Sequence, residues 1–88
     1  MWKVAVKKAV QKNIRKLPKP VRAILDEAIE DLKQQGPHPK NWDIVQLDKD
    51  EYRIRLNYRY RMIYMVIKQL VLIEIIYAGH RKDAYTGR

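Results

Sequence analysis

The sequence predicts an α+β domain, with an N-terminal helical hairpin packed on one face of a small, mainly antiparallel sheet of about four strands. Three observations lead there. Two runs of apolar residues at helical spacing lie on either side of Pro18-Lys19-Pro20, the apolar period changes to two after Asn41, and the later runs are separated by joints of hairpin length. With 88 residues there is room for a single core, so residues 1–88 form one domain.

Trp2 to Val6 alternates and is β-branched, as a short first strand should be, and it runs without a break into helical spacing. Val6, Val10, Ile14 and Leu17 then recur on one helical face, while Lys7, Lys8, Lys12, Arg15 and Lys16 occupy the others, so the first helix is amphipathic and basic. Pro18 and Pro20 stop it, because proline has no amide proton and pushes the preceding residue out of helical geometry. The second helix carries Val21, Ile24, Leu25, Ala28, Ile29 and Leu32 as one stripe and closes at Gly36-Pro37. Strands are predicted at Ile44 to Leu47, Tyr52 to Leu56, Tyr60 to Ile67 and Leu70 to Ala78. Apart from Glu74 the last is apolar on both faces, which places it inside the sheet.

Composition narrows the function classes. There is no cysteine, so stability must come from packing or a partner, and a reducing compartment fits. The N-terminus lacks the apolar core of a signal peptide, and Leu70 to Tyr77 is too short to span a bilayer; a soluble cytoplasmic protein with no membrane partner is expected. Two histidines at unrelated spacing argue against a metal site, and the chain has no serine nucleophile, no Gly-rich phosphate loop and no paired carboxylates. No cofactor is expected. The net charge of +9 calls for a polyanionic partner, and any chemistry must run on Arg, Lys, His and Tyr.

The positive charge is segregated. Tyr52 to Tyr64 holds Arg53, Arg55, Arg59 and Arg61 and no acid, whereas eight of the ten acids lie between Asp26 and Glu51. Alternation puts Tyr52, Ile54 and Leu56 on the helix face and Arg53 and Arg55 on the other. A solvated strand face could carry these arginines, but like charges on neighbouring strands repel, and a bound phosphate would offset that cost through guanidinium forks. After the last strand, Gly79-His80-Arg81-Lys82 has the composition of a functional loop. The tyrosines other than Tyr58 fit core or cross-strand positions, and His38, between prolines, fits an exposed loop.

The helical hairpin, then Tyr52-Arg53-Ile54-Arg55-Leu56, then Tyr60-Arg61-Met62-Ile63-Tyr64, then a hydrophobic strand ending Gly79-His80-Arg81 with Tyr85 behind it, together resemble the RelE/ParE toxin superfamily over nearly the whole chain. The resemblance implies the fold predicted above, together with a type II toxin that cuts messenger RNA in the ribosomal decoding site without a metal. It carries the family's catalytic positions onto Arg53, Arg55, Arg61, Arg81 and Tyr85. His80 stands where lysine is common, and arginine stands here where the best-known members have lysine, so His80 becomes the candidate for proton transfer. Arg59 and Lys82 are candidates for substrate binding. The implied partners are an acidic antitoxin, mRNA in the ribosomal A site and ribosomal RNA. The alternative within the superfamily is a ParE-like inhibitor of DNA gyrase with no catalysis of its own.

Overall fold

The computed structural model describes residues 1–84. In chain order these form β1 (Lys3–Val6), α1 (Lys8–Arg15), α2 (Lys19–Gln35), β2 (Ile44–Asp48), β3 (Glu51–Arg55), β4 (Tyr60–Ile67) and β5 (Leu72–His80). The five strands make one sheet in the order β1-β5-β4-β3-β2, with every pairing antiparallel except β1 on β5. The sheet thus has five strands rather than about four. The additional one is the N-terminal strand, whose alternation was legible but whose partner lies about seventy residues away in the chain.

Each helix is bounded by local chemistry. α1 ends with Lys12 and Arg15 in its last turn, where cations face the negative end of the helix dipole. α2 takes its proline in the first turn, where the missing amide proton costs nothing, and ends at Gly36, whose φ of 87° suits glycine and whose N–H donates to the Leu32 carbonyl at 2.9 Å. Trp2 lies against Gly36 closely enough that a β-carbon there would meet its indole, so this turn is also fixed by packing.

Val10 of α1 and Val21, Leu25, Ala28 and Leu32 of α2 pack on Ile54, Met62, Tyr64, Val66, Ile73 and Ile75. α1 lies against β5, and α2 against β1. The last strand begins two residues later than its hydrophobicity implies, because Lys68–Leu70 form a 3-10 turn and Val71 adopts a left-handed conformation with φ 50°. Leu70 and Val71 are exposed there. No helix among the described residues is long and apolar enough to cross a membrane.

Tyr64 is fully buried on the helix face, donates its hydroxyl to the Pro37 carbonyl and stacks on Tyr52 with ring centres 5.6 Å apart. Burial, and then repulsion from Tyr52, raises its pKa above the ordinary phenol value of 10.0. The sign of the linkage follows: the unfolded chain gives up this proton first, so stability is intact below pH ~10 and is lost as pH rises from there towards the folded-state pKa. Unfolding measured between about pH 9 and 11 should show an alkaline loss of stability that Tyr64→Phe makes shallower.

Candidate functional site

The turn between β3 and β4 is locked from two directions. Asn57 Oδ1 accepts from the backbone N–H groups of Arg59 (2.8 Å) and Tyr60 (2.9 Å), the side-chain turn that asparagine favours. From the other side Arg61 Nη1 donates to the carbonyls of Asn57 (2.7 Å), Tyr60 (3.1 Å) and Tyr58 (3.3 Å). Arg61 is only 9% exposed, so a charged group taken out of water is satisfied by backbone carbonyls. On β4, opposite Arg55 on β3 and Gly79 on β5, Arg61 is one of the positions that the resemblance gives as catalytic, and in the structure its side chain holds a turn.

That turn presents Tyr58 outwards, 61% exposed. The Arg81 guanidinium lies over the Tyr58 ring, 4.5 Å from its centre, and the Arg81 N–H donates to the Arg59 carbonyl at 2.7 Å. The end of β5 is thereby tied to the β3–β4 turn by one backbone bond and one cation–π contact. Tyr58, Arg59, His80, Arg81 and Lys82 line a cavity of about 280 Å³ with no acid among them. Sequence reasoning had placed Tyr58 apart from the other tyrosines without giving it a role; its place two residues after the arginine strand was the available signal. Removing the ring with Tyr58→Leu should cost Arg81 its support, about 0.5–1 kcal/mol at an exposed site, and Tyr58→Phe should keep it. The Arg81 Nε–H resonance in an NMR spectrum would report this directly: broadened and moved towards solvent values in the first variant, little changed in the second.

His80 caps the short turn Arg81–Asp83. Its Nδ1 accepts from the Lys82 N–H at 3.1 Å, which leaves the proton of the neutral ring on Nε2. The ring meets Tyr60 edge-on at 5.6 Å, and its carbonyl accepts from the Tyr77 hydroxyl at 2.8 Å. Desolvation, and then the nearby Asp83 carboxylate, raise the Tyr77 pKa, so this phenol keeps its proton and remains a donor. Tyr77 reaches His80 across Gly79, where any β-carbon would fall 2.8 Å from the Tyr77 hydroxyl oxygen. A side chain at Gly79 would therefore push the Tyr77 hydroxyl away from the His80 carbonyl.

Arg53 and Arg55 lie on the face of the sheet away from the helices, as alternation predicted, and both reach Asp43, with contacts of 3.4 Å and 3.9 Å. Asp43 was not foreseen, because it lies ten residues earlier in sequence and meets these arginines only through the β2–β3 pairing. Arg53 Nε is buried without a partner among the described residues. The predicted set thus divides into a cationic cavity formed by Arg59, His80, Arg81 and Lys82, a buried turn anchor in Arg61, and an acid-bridged pair in Arg53 and Arg55. Tyr85 lies outside the described residues.

Fold and site together define a small basic α+β domain that presents, at one end of its sheet, a cationic cavity whose described lining holds no acid. Among solved structures it is similar to RelE toxins. The archaeal RelE-RelB complex from Pyrococcus horikoshii OT3 matches at 29% identity over 94% of this chain and 98% of that one, with a TM-score of 0.80. The isolated E. coli RelE toxin matches at 25% identity over 91% and 84% of the two chains (TM-score 0.75), and the intact E. coli RelBE toxin-antitoxin complex at 25% over 90% and 95% (TM-score 0.74). No family model matches the sequence, and no curated protein does. These likenesses support a place for the chain among RelE-like toxins in fold.

Proposed function

We propose that this protein is the toxin of a type II toxin-antitoxin pair and that it cleaves messenger RNA in the ribosomal decoding site. The observation that carries the reading is the exposed Arg81 guanidinium, held on Tyr58 beside Arg59 and Lys82 in a cavity whose described lining holds no acid.

The chemistry needs only what RNA and such a cavity supply. The 2′-oxygen attacks the adjacent phosphorus, its bond to phosphorus forms as the bond from phosphorus to the 5′-oxygen breaks, and a 2′,3′-cyclic phosphate and a 5′-hydroxyl result. The 2′-hydroxyl proton leaves to water, and water returns one to the 5′-oxygen. Negative charge builds on the phosphorane oxygens, where the Arg81 fork, Arg59 and Lys82 stabilise it. His80, held by the Lys82 N–H, contributes a hydrogen bond from Nε2–H; taking a proton at Nδ1 would break that capping bond. Arg61 acts as a positioning residue by fixing the turn that carries Tyr58 and Arg59. Arg53 and Arg55, bridged by Asp43, offer a second cationic strip for the RNA backbone on the open face of the sheet.

Engagement of the ribosome is supported by the distribution of charge. Residues 1–22 carry eight Lys and Arg and no acid, so nearly all of the net charge of +9 sits on β1, α1 and the start of α2. An acidic antitoxin would be drawn to the same charge.

Purified protein added to translating ribosomes should cut the message within the decoding site. Intact message together with inhibition of DNA gyrase would replace this reading with the ParE-like one.

A further inference from the structure

A second cavity, of about 270 Å³, adjoins the cationic one and shares His80 with it, but contains none of Tyr58, Arg59, Arg81 and Lys82. Its origin lies in the topology. β1 is short and pairs with β5 only as far as Ile75, with a last backbone bond from the Lys7 N–H to the Ile75 carbonyl. Beyond that point no strand among the described residues pairs with β5 on this side. The C-terminal turn of α1 stands there instead, and the space between helix and strand is the cavity.

The lining is of a different kind from that of its neighbour. Leu17 and Ala78, both buried, supply an apolar floor, and the Tyr60 and His80 rings, 5.6 Å apart, form an aromatic wall. Asn13 and Lys16 reach it from α1, and no described residue hydrogen-bonds the Asn13 side-chain amide. Asp83 also lines it, and a carboxylate there disfavours phosphate. An apolar floor, aromatic rings and one amide carrying both donor and acceptor suit a planar nucleobase taken out of the stack. At this volume it holds one such group rather than an extended ligand.

We propose that this cavity binds the base of a nucleotide adjacent to the scissile phosphate, and that Asn13 reads the edge of that base and so sets the sequence preference of cleavage. The inference rests on the nuclease reading above. His80 is the wall common to both subsites: the cationic cavity takes the phosphate and the apolar one takes the neighbouring base. Lys16, at the rim, pairs with the backbone phosphate of the bound nucleotide and contributes affinity without selectivity.

The test is a set of translated messages carrying all four bases at each position around the cut, with the cut ends sequenced. Wild type should favour a base at one position. Asn13→Leu should flatten that preference by about 5- to 100-fold, the worth of one side-chain reading contact. Asn13→Asp, which only accepts, should move the preference towards guanine, whose edge offers two adjacent donors. Lys16→Gln should lower cutting at every sequence alike. Cutting by Asn13→Leu with wild-type preference at all positions, or an equal loss at all sequences, overturns the assignment of this cavity alone. A wild type that cuts no message overturns the nuclease reading and this inference with it.

Discussion

Arg81→Ala should lower message cleavage by about 100- to 1,000-fold, the usual cost of removing one preorganised donor from a developing negative charge. The guanidinium is exposed, so the substitution leaves no cavity in the core and forfeits only the contact to Tyr58, about 0.5–1 kcal/mol. Fold and thermal stability should therefore be nearly those of wild type, which separates a chemical loss from a structural one. Arg81→Lys restores the charge but neither the fork nor the flat face that rests on the ring, so it should recover only part of the rate. Single-turnover cleavage on ribosomes, read beside thermal unfolding of the same samples, checks both halves. A variant that cuts at the wild-type rate would remove Arg81 from the mechanism.

Arg61→Ala should act in the opposite order, on stability first. Its guanidinium satisfies three carbonyls at a buried position, and hydrogen bonds to a charged group are worth about 1.5–3 kcal/mol. For a domain of this size each kcal/mol moves Tm by roughly 4–8 °C. All three bonds come from the one nitrogen Nη1, so a lysine ammonium keeps the charge and the donors on a shorter side chain, and Arg61→Lys should recover part of the loss. Cleavage should fall in both variants because Tyr58 and Arg59 lose their fixed turn, and lowering the temperature or adding a stabilising osmolyte should restore part of it. Arg81→Ala should show no such rescue. If Arg61→Ala melts like wild type while losing all cleavage, Arg61 touches the substrate and the positioning role assigned to it fails.

The fold was legible where periodicity is strong. The stripe of Val21, Leu25, Ala28 and Leu32 and the alternation of Tyr52, Arg53, Ile54 and Arg55 each report one neighbour layer, and both emerge as read. The partner of β1 was not legible, since a four-residue strand carries no mark of the strand it will join. Nor was the 3-10 turn at Lys68–Leu70, where Leu70 and Val71 look like strand by composition but sit exposed in a turn. For the site, residue types and order singled out Arg59, His80, Arg81 and Lys82 in two separate roles, and the fold brings the four to one cavity. Separating Arg61 from them required the conformation of its side chain. It folds back on its own turn, and nothing in the pattern Tyr-Arg-Met-Ile-Tyr distinguishes an arginine that points at solvent from one that points at carbonyls.

The pairing of β1 with β5 has a bearing on when the protein comes into being. Lys3 finds its neighbour in Leu72, so β1 has nothing to join until β5 is made, and β5 is also the strand that ends at His80. Helices can form earlier from local contacts, but closing so long a loop is slow and comes late. Until β5 is made, a nascent chain therefore lacks the closed sheet. Stalling or proteolysis before β5 emerges would leave a fragment lacking both the partner of β1 and Arg81, the residue proposed to stabilise the phosphate.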